Sequence, residues 1–338
     1  MQVQPGIQTQ KEVWPALSWD SWKESCETVH MWTQIVGKVK LELTPFWNEW
    51  WEAAFDVSAS GLSTGLIPFN TRVFEINFDF LQHRLVITVS DGRQKTLSLF
   101  PRSVADFYSE FFSALRALDI EVAINTHPVE TTSDIPFEEN SLHSAYDAEY
   151  VQRWWKILTH TTRVLQRYRS RFVGKSSPIL FYWGSFDLNI TRFSGQQARM
   201  PAVGPRFYKI GEDQENVSCG FWPGNTNANG LTYGAPAFYS YTYPAPRGFE
   251  SVPVNPTEAY FDKELAEFIL PYEHVRNSTA PEQVLLDFFQ STYEVGANLG
   301  HWDRATLEQS LSAIIERTKS NAKTDEVPGR GGSAGSAA

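Results

Sequence analysis

In FYWGSFDLNITRF, residues 181–193, an extended chain puts Trp183, Ser185, Asp187, Asn189 and Thr191 on one face, opposite Gly184, Phe186, Leu188 and Ile190. An aromatic ring followed by a hydroxyl, a carboxylate and an amide can line a polar pocket in which Asp187 moves a proton. The same alternation also describes a sheet face turned to water. FEINFDFLQH, residues 74–83, makes a similar offer, with Glu75, Asn77, Asp79 and His83 sharing one face. Acids and an imidazole so placed bind a metal or pair as acid and base, and a solvated face is the plainer reading.

Further candidates are scattered. His30 flanks the apolar stripe of the first helix and is a candidate general base, or else a satisfied, half-buried histidine. Arg192 and Arg72 sit at strand ends near Ser-Gly turns and suit an anionic ligand, and Ser194 beside Arg192 is expected to join it. Tyr239, Tyr241 and Tyr243 alternate on one strand and, with Trp222, offer rings to stack on a sugar or an aromatic ligand, or to fill a core. Phosphate-binding, dinucleotide, zinc-protease, nucleophile-elbow and paired-cysteine motifs are all absent, so no cofactor is signalled and the chemistry is expected to be metal-independent.

These residues need elements to hold them. Ser21 to Glu24 has capping-box spacing, and a helix is expected from there to Val36, closed by Gly37-Lys38. Strands are expected over 51–57, 73–80, 85–89 and 96–99, with Asp91-Gly92 turning the last hairpin. A helix over 103–118 and a short strand over 121–125 follow. From Asp147 a long helix carries Tyr150, Trp154, Ile157, Thr161, Val164 and Leu165 as an apolar stripe and ends at Gly174-Lys175. Its basic residues, Arg153 to Arg171, lie off the stripe and read as solvated. Strands over 179–183, 186–193, 217–222, 237–243 and 267–270 come next, then a helix opened by Pro281-Glu282 and a last one from Asp303.

Landmarks recur. WWEAAFDVSASG (50–61) and WGSFDLNITRFSG (183–195) share a Trp, a Phe-Asp-aliphatic step and a closing Ser-Gly. Each follows a helix ending in Val-Gly-Lys and precedes a strand stopped by Pro and a helix with a Phe-Phe pair. The expected fold is α+β in two duplicated halves, each an antiparallel sheet covered by helices, packed about a pseudo-twofold axis. The organisation is a loose lead-in (1–17), a first half (18–126), a linker (127–145), a second half (146–316) and a disordered tail (317–338). The stretch 194–236 reads as a long loop that roofs a site or wanders.

Composition narrows the class. The chain has 338 residues, twelve Trp and twenty-three Phe, ample for a packed core. A net charge of −10 disfavours nucleic acid as partner. No apolar run reaches the ~20 residues of a membrane helix, and MQVQPGIQTQKEVW carries no leader pattern. With only Cys26 and Cys219, the expected compartment is the cytoplasm.

Four runs carry a resemblance: HMWTQIVGKVKLELTP (30–45), GKSSPILFYWGSFDLNITRFSG (174–195), SCGFWPG (218–224) and LLDFFQSTYEVGANLGHWDRATLE (285–308). Together they resemble the uncharacterised domain-of-unknown-function family 5996, over roughly residues 14–308. The resemblance implies one full-length unit and brings no activity, cofactor or catalytic residue with it. The functional expectation therefore rests on the residues. It is an enzyme or binder of an unknown small molecule, with His30 and Asp187 handling protons and Trp183, Arg192, Ser194, Trp222, Tyr239 and Tyr241 binding, in one pocket near the junction of the halves. The alternatives are a binding module without catalysis and an interaction protein with an exposed aromatic surface. Oligomeric state is left open.

Overall fold

The computed structural model describes residues 10–202, 206–224 and 234–308, with 312, 315 and 316. The expected tail (317–338) and the first nine residues lie outside the described residues. The first part of the chain supplies α1 (Gln10–Val13), α2 (Trp19–Leu43), strands β1 (Asp56–Val57), β2 (Gly61–Ser63), β3 (Ile67–Phe69), β4 (Arg72–Asp79), β5 (Arg84–Val89) and β6 (Gln94–Ser98), and α3 (Val104–Arg116). The second supplies α4 (Ala148–Arg169), β7 (Leu180–Tyr182), β8 (Asp187–Gln197), α5 (Arg206–Gly211), β9 (Gln214–Trp222) and β10 (Ala237–Tyr243). It continues with β11 (Tyr260–Asp262), β12 (Glu267–Pro271), α6 (Tyr272–Asn277), α7 (Pro281–Leu299) and α8 (Arg304–Leu307).

The strands form two six-stranded antiparallel sheets with helices, an α+β fold. One runs β1-β2-β4-β5-β6, with β3 also on β4; the other runs β7-β8-β9-β10-β12-β11. Alternation places Phe74, Ile76 and Phe78 of β4 in the core. The sheets meet where the Phe55 N–H donates to the Phe181 carbonyl (2.9 Å) and the Phe181 N–H returns a bond (2.8 Å). A long helix precedes each sheet and another follows it, the order that the repeated landmarks predict. The landmarks themselves fall on different strands. Phe55-Asp56-Val57 reaches the outer strand β1, whereas Phe186-Asp187-Leu188 opens β8, second in its sheet.

Helix α2 departs most from the sequence expectation. It does not close at Gly37-Lys38 but continues to Leu43, where the Thr44 N–H reaches the Lys40 carbonyl (2.9 Å) and Pro45 prevents another turn. From Thr28 to Lys40 every residue is buried. A helix covered on all sides belongs inside a protein, not on one face of a sheet. Trp32 stacks on Phe107 of α3 (4.8 Å between centroids), Trp22 packs on Trp154 of α4 (5.9 Å), and His30 lies on Phe186 (4.8 Å). Gly37 is there because an indole is: a Cβ at this position would come within 2.4 Å of Trp183.

Three other expectations change. The lead-in is anchored, with Trp14 buried between His160, Phe238 and Tyr272 and the Pro15 carbonyl accepting from the Tyr272 hydroxyl. Residues 121–125 form no strand. The stretch 127–145 straps across α2: Gln34 bonds both the N–H and the carbonyl of Val129 (2.8 Å each), and the Lys38 ammonium donates to the His127 carbonyl (2.6 Å). Phe137 is buried beneath this strap.

The packing at Gly37 makes a prediction of unusual sign. In an open helix Gly→Ala stabilises by about 1 kcal/mol. Gly37→Ala must instead push the Trp183 indole off α2, and we expect a loss of roughly 1–3 kcal/mol in chemical denaturation, with a shifted tryptophan emission. A stabilised variant would show that the indole does not lie on this helix.

Candidate functional site

Beside the meeting line of the sheets lies a cavity of about 730 Å³. Its floor is one face of the second sheet. Strand alternation turns Asp187, Asn189 and Thr191 of β8 into it, as the spacing of FYWGSFDLNITRF predicts. Across the sheet Asn189 is level with Gly220 and Gly220 with Tyr239; Thr191 is level with Ser218 and Ser218 with Tyr241. Gly220 leaves a gap in β9, where a Cβ would lie 2.8 Å from the Tyr239 hydroxyl and 1.8 Å from the Leu188 carbonyl oxygen. Through that gap Tyr239 crosses β9. Its hydroxyl accepts from Asn189 Nδ2 (2.8 Å) and donates to Asp187 Oδ2, while Ser185 donates to Asp187 Oδ1.

The walls come from distant parts of the chain. Trp183 is held by its indole N–H on the Ala53 carbonyl (2.7 Å). The strap delivers Glu130, whose carboxylate presses on Gly184, where a Cβ would meet Oε1 at 2.5 Å. Glu212 precedes β9 and accepts from Asn216 Nδ2 (2.5 Å) and the Tyr241 hydroxyl (3.2 Å). Glu267 enters at the start of β12, and Glu49 from the turn after α2, where Lys175 Nζ donates to its Oε1 (2.6 Å). Backbone strain concentrates here. Glu49, Trp50 and Glu130 line the cavity with φ of 50°, 64° and 53°, and Phe186 (61°) and Ala266 (58°) sit between lining residues. Left-handed conformations cost a non-glycine residue roughly 1–3 kcal/mol each and gather where geometry is functional.

Enclosure perturbs the acids. Burial pushes Glu267 up to about 8, with Asp187 and Asp262 adding repulsion. It pushes Glu130 up to about 7, again with Asp187 adding to the effect, and Glu212 up to about 7. Asp187 is raised by burial and held back by the hydrogen bonds from Ser185 and Tyr239. Burial, and then the Asp187 charge, keep Tyr239 protonated far above neutrality. At neutral pH the cavity therefore holds glutamates that titrate, together with a phenol that keeps its proton.

Of the residues singled out from sequence, Asp187, Trp183, Trp222, Tyr239 and Tyr241 line the cavity together. Three do not. His30 lies behind the β7–β8 turn, with Nε2 2.9 Å from the Gly184 carbonyl, and burial pulls it down to about 4. It positions the turn and does not face the cavity. Arg192 follows Leu188 and Ile190 onto the opposite sheet face, where its guanidinium lies 3.4 Å from the Tyr168 ring centroid and bonds the Tyr168 carbonyl. Ser194, beyond the lining, donates to Glu215 (2.9 Å). In the first sheet, Asp79 caps its own turn at Leu81 and Gln82 and binds Arg84, Glu75 accepts from Asn77, and His83 bonds Tyr146 and Gln152. That set does not touch the cavity. The expected loop 194–236 is interrupted by regular elements: β8 runs on to Gln197, α5 spans Arg206–Gly211 and β9 already starts at Gln214. Its described part walls the cavity with Glu212, Ser218 and Trp222, while 203–205 and 225–233 lie outside the described residues.

Glu130, Glu212, Glu267 and Glu49 were missed. Only Glu267 had a signal, since it shares a strand face with Ile269, the partner of Tyr239.

A raised carboxyl favours the folded chain at low pH. That contribution is complete below the unfolded value near 4.3 and is lost as pH rises through the folded value. His30, with its folded value lowered, acts oppositely below about 6.5. Comparing Glu267→Gln with the native chain isolates the acid. The variant's advantage in Tm should be absent near pH 4 and grow to roughly 2 °C or more by pH 8. A pH-independent difference would mean that Glu267 ionises freely.

Among the described residues no helix is long and apolar enough to cross a membrane, and no three His, Cys, Asp or Glu converge as a metal site. No curated protein and no solved structure matches the chain. One family model does, over residues 14–309, from Trp14 under α4 to the end of α8, so both sheets and every wall of the cavity fall inside it. The chain belongs to that family, the family of unknown function DUF5996.

Proposed function

We propose that the chain binds a small organic molecule in this cavity and can exchange a proton with it through Asp187 and Tyr239, without a metal ion. The carrying observation is the half-open cavity of about 730 Å³, walled by aromatic rings and by carboxyls drawn from at least four separate elements. Pockets of this size, with few convergent polar groups and shifted acids, are where ligands are held. In this reading a proton passes from the ligand to the Asp187 carboxylate, to which Tyr239 and Ser185 donate hydrogen bonds, and Asn189 keeps the Tyr239 hydroxyl aligned. Trp183 and Trp222 give faces on which a flat or ring-shaped group rests.

The setting we propose is cytoplasmic, supported by two buried, unpaired cysteines. The shared order of helix, antiparallel sheet and helix supports an origin by duplication. An interaction role has one supporting observation, the exposed Phe46 (55%) and Trp47 (58%). They adjoin the lining residues Glu49 to Trp51, so a partner bound there would cover the cavity mouth.

Native mass spectrometry of the chain purified from its own host tests the cavity reading. We expect an added mass of a small molecule that is lost on denaturation. Thr191→Trp, which fills the cavity from a half-exposed strand position, should abolish it while far-ultraviolet circular dichroism stays unchanged. An added mass that persists in that variant would place the ligand elsewhere.

A further inference from the structure

The cavity has an unbalanced charge. Glu42, Glu49, Glu130, Asp187, Glu212 and Glu267 line it, against a single cationic lining side chain among the described residues, Lys38. The Lys38 ammonium is spent on the His127 carbonyl (2.6 Å). Asp187 and Glu212 have hydroxyl and amide donors. Glu130 and Glu267 receive neither a hydrogen bond nor an ion pair from the described residues. A second observation is independent of their number. The Glu49 side chain is only 7% exposed, and while Lys175 holds its Oε1, its Oε2 is buried with no partner. Buried polar atoms without partners are rare and ask for something to complete them.

The geometry assigns the occupant: we infer that the cavity takes an organic cation with two or more protonated amines, its ammonium groups on Glu130, Asp187 and Glu267 and its carbon chain against the aromatic rings. This rests on the reading of the cavity as a ligand site and narrows it to a chemical class. Three features favour that class. The acids stand apart on the strap, β8 and β12, which suits separated charges on one chain better than a single ion, and no three of them converge as metal ligands do. The tryptophans and tyrosines between them present ring faces, which attract ammonium groups where water is excluded. A neutral polyol would leave the repulsion of Asp187 with Glu130 and with Glu267 unanswered, and an anion would add to it. The raised acids agree with this: an ammonium would ionise them and expel protons.

Isothermal titration of the full chain with spermidine, at physiological ionic strength and in two buffers of different ionisation heat, tests the assignment. The charged groups facing the acids are Glu42, Glu49 and Glu212, tyrosines that stay protonated at neutral pH, and Lys38, which burial lowers to about 8; the titration is therefore run near pH 6, where Lys38 is protonated and the protons released come mainly from the carboxyls. We expect saturable binding with net proton release, weakened roughly tenfold or more in Glu130→Gln and Glu267→Gln and abolished in Thr191→Trp. Both amide variants keep the shape of the acid and are checked by circular dichroism. Absence of binding overturns the assignment. So does binding that survives Thr191→Trp, which would be attraction to the −10 surface. If a neutral compound copurifies in a Thr191-dependent way while spermidine does not bind, the cation assignment falls and the cavity reading stands.

Discussion

The indole of Trp183 lies on the backbone of α2 at Gly37, and the rest of the structure is arranged around that contact. It joins a helix from the first half to a turn from the second. The bond from its N–H to the Ala53 carbonyl adds the segment that leads into the first sheet. One residue on, the Gly184 carbonyl meets His30 of the same helix, and the Gly184 backbone leaves room for the Glu130 carboxylate. Three glycines, Gly37, Gly184 and Gly220, thus occur where a side chain from elsewhere needs the space of a Cβ. Close packing explains the stringency, since interiors have no spare volume for even one methyl group.

The same arrangement sets the electrostatics. Carboxyls are seldom enclosed unless paired, because the charged form loses its hydration. Here the second sheet carries its large apolar core on the helix-covered face, including Leu188, Ile190 and Phe221. The other face has only a small apolar cluster of Ala237, Tyr239 and Ile269. Between that cluster, α2 and the strap, burial strips hydration from the acids, and they respond by holding protons. Stability comes from the first face, so the second is free to carry groups that cost stability. Arg192 shows the division: on the core face its charge is wrapped by Tyr168, Phe172 and Tyr293, away from the cavity.

Much of this was legible from local pattern. Period-two alternation placed Asp187, Asn189 and Thr191 on one face with Trp183, and that face does line the cavity. Applied consistently, the same alternation assigns Arg192 to the other face with Leu188 and Ile190; its charge argued for a ligand where its position argued for burial. The start of α4 near Asp147 and its stripe were equally plain, because amphipathic spacing is local, although the helix ends at Arg169, ahead of the expected Gly174-Lys175. Gly37-Lys38 misled for the opposite reason: Gly-Lys is a helix stop by propensity, and propensity gives way when a distant indole requires the glycine.

By itself the sequence determined the α+β class, most helices and strands, and the polar face of β8, since each depends on residues within one or two turns or strand pairs of each other. Only the tertiary structure decided that α2 is enclosed, that 127–145 is a strap and that Tyr239 reaches Asp187 through the gap at Gly220. Glu130 and Asp187 are 57 positions apart, and Glu267 follows 80 positions later. No periodicity spans such distances, so their convergence exists only once long-range packing has closed the cavity around them.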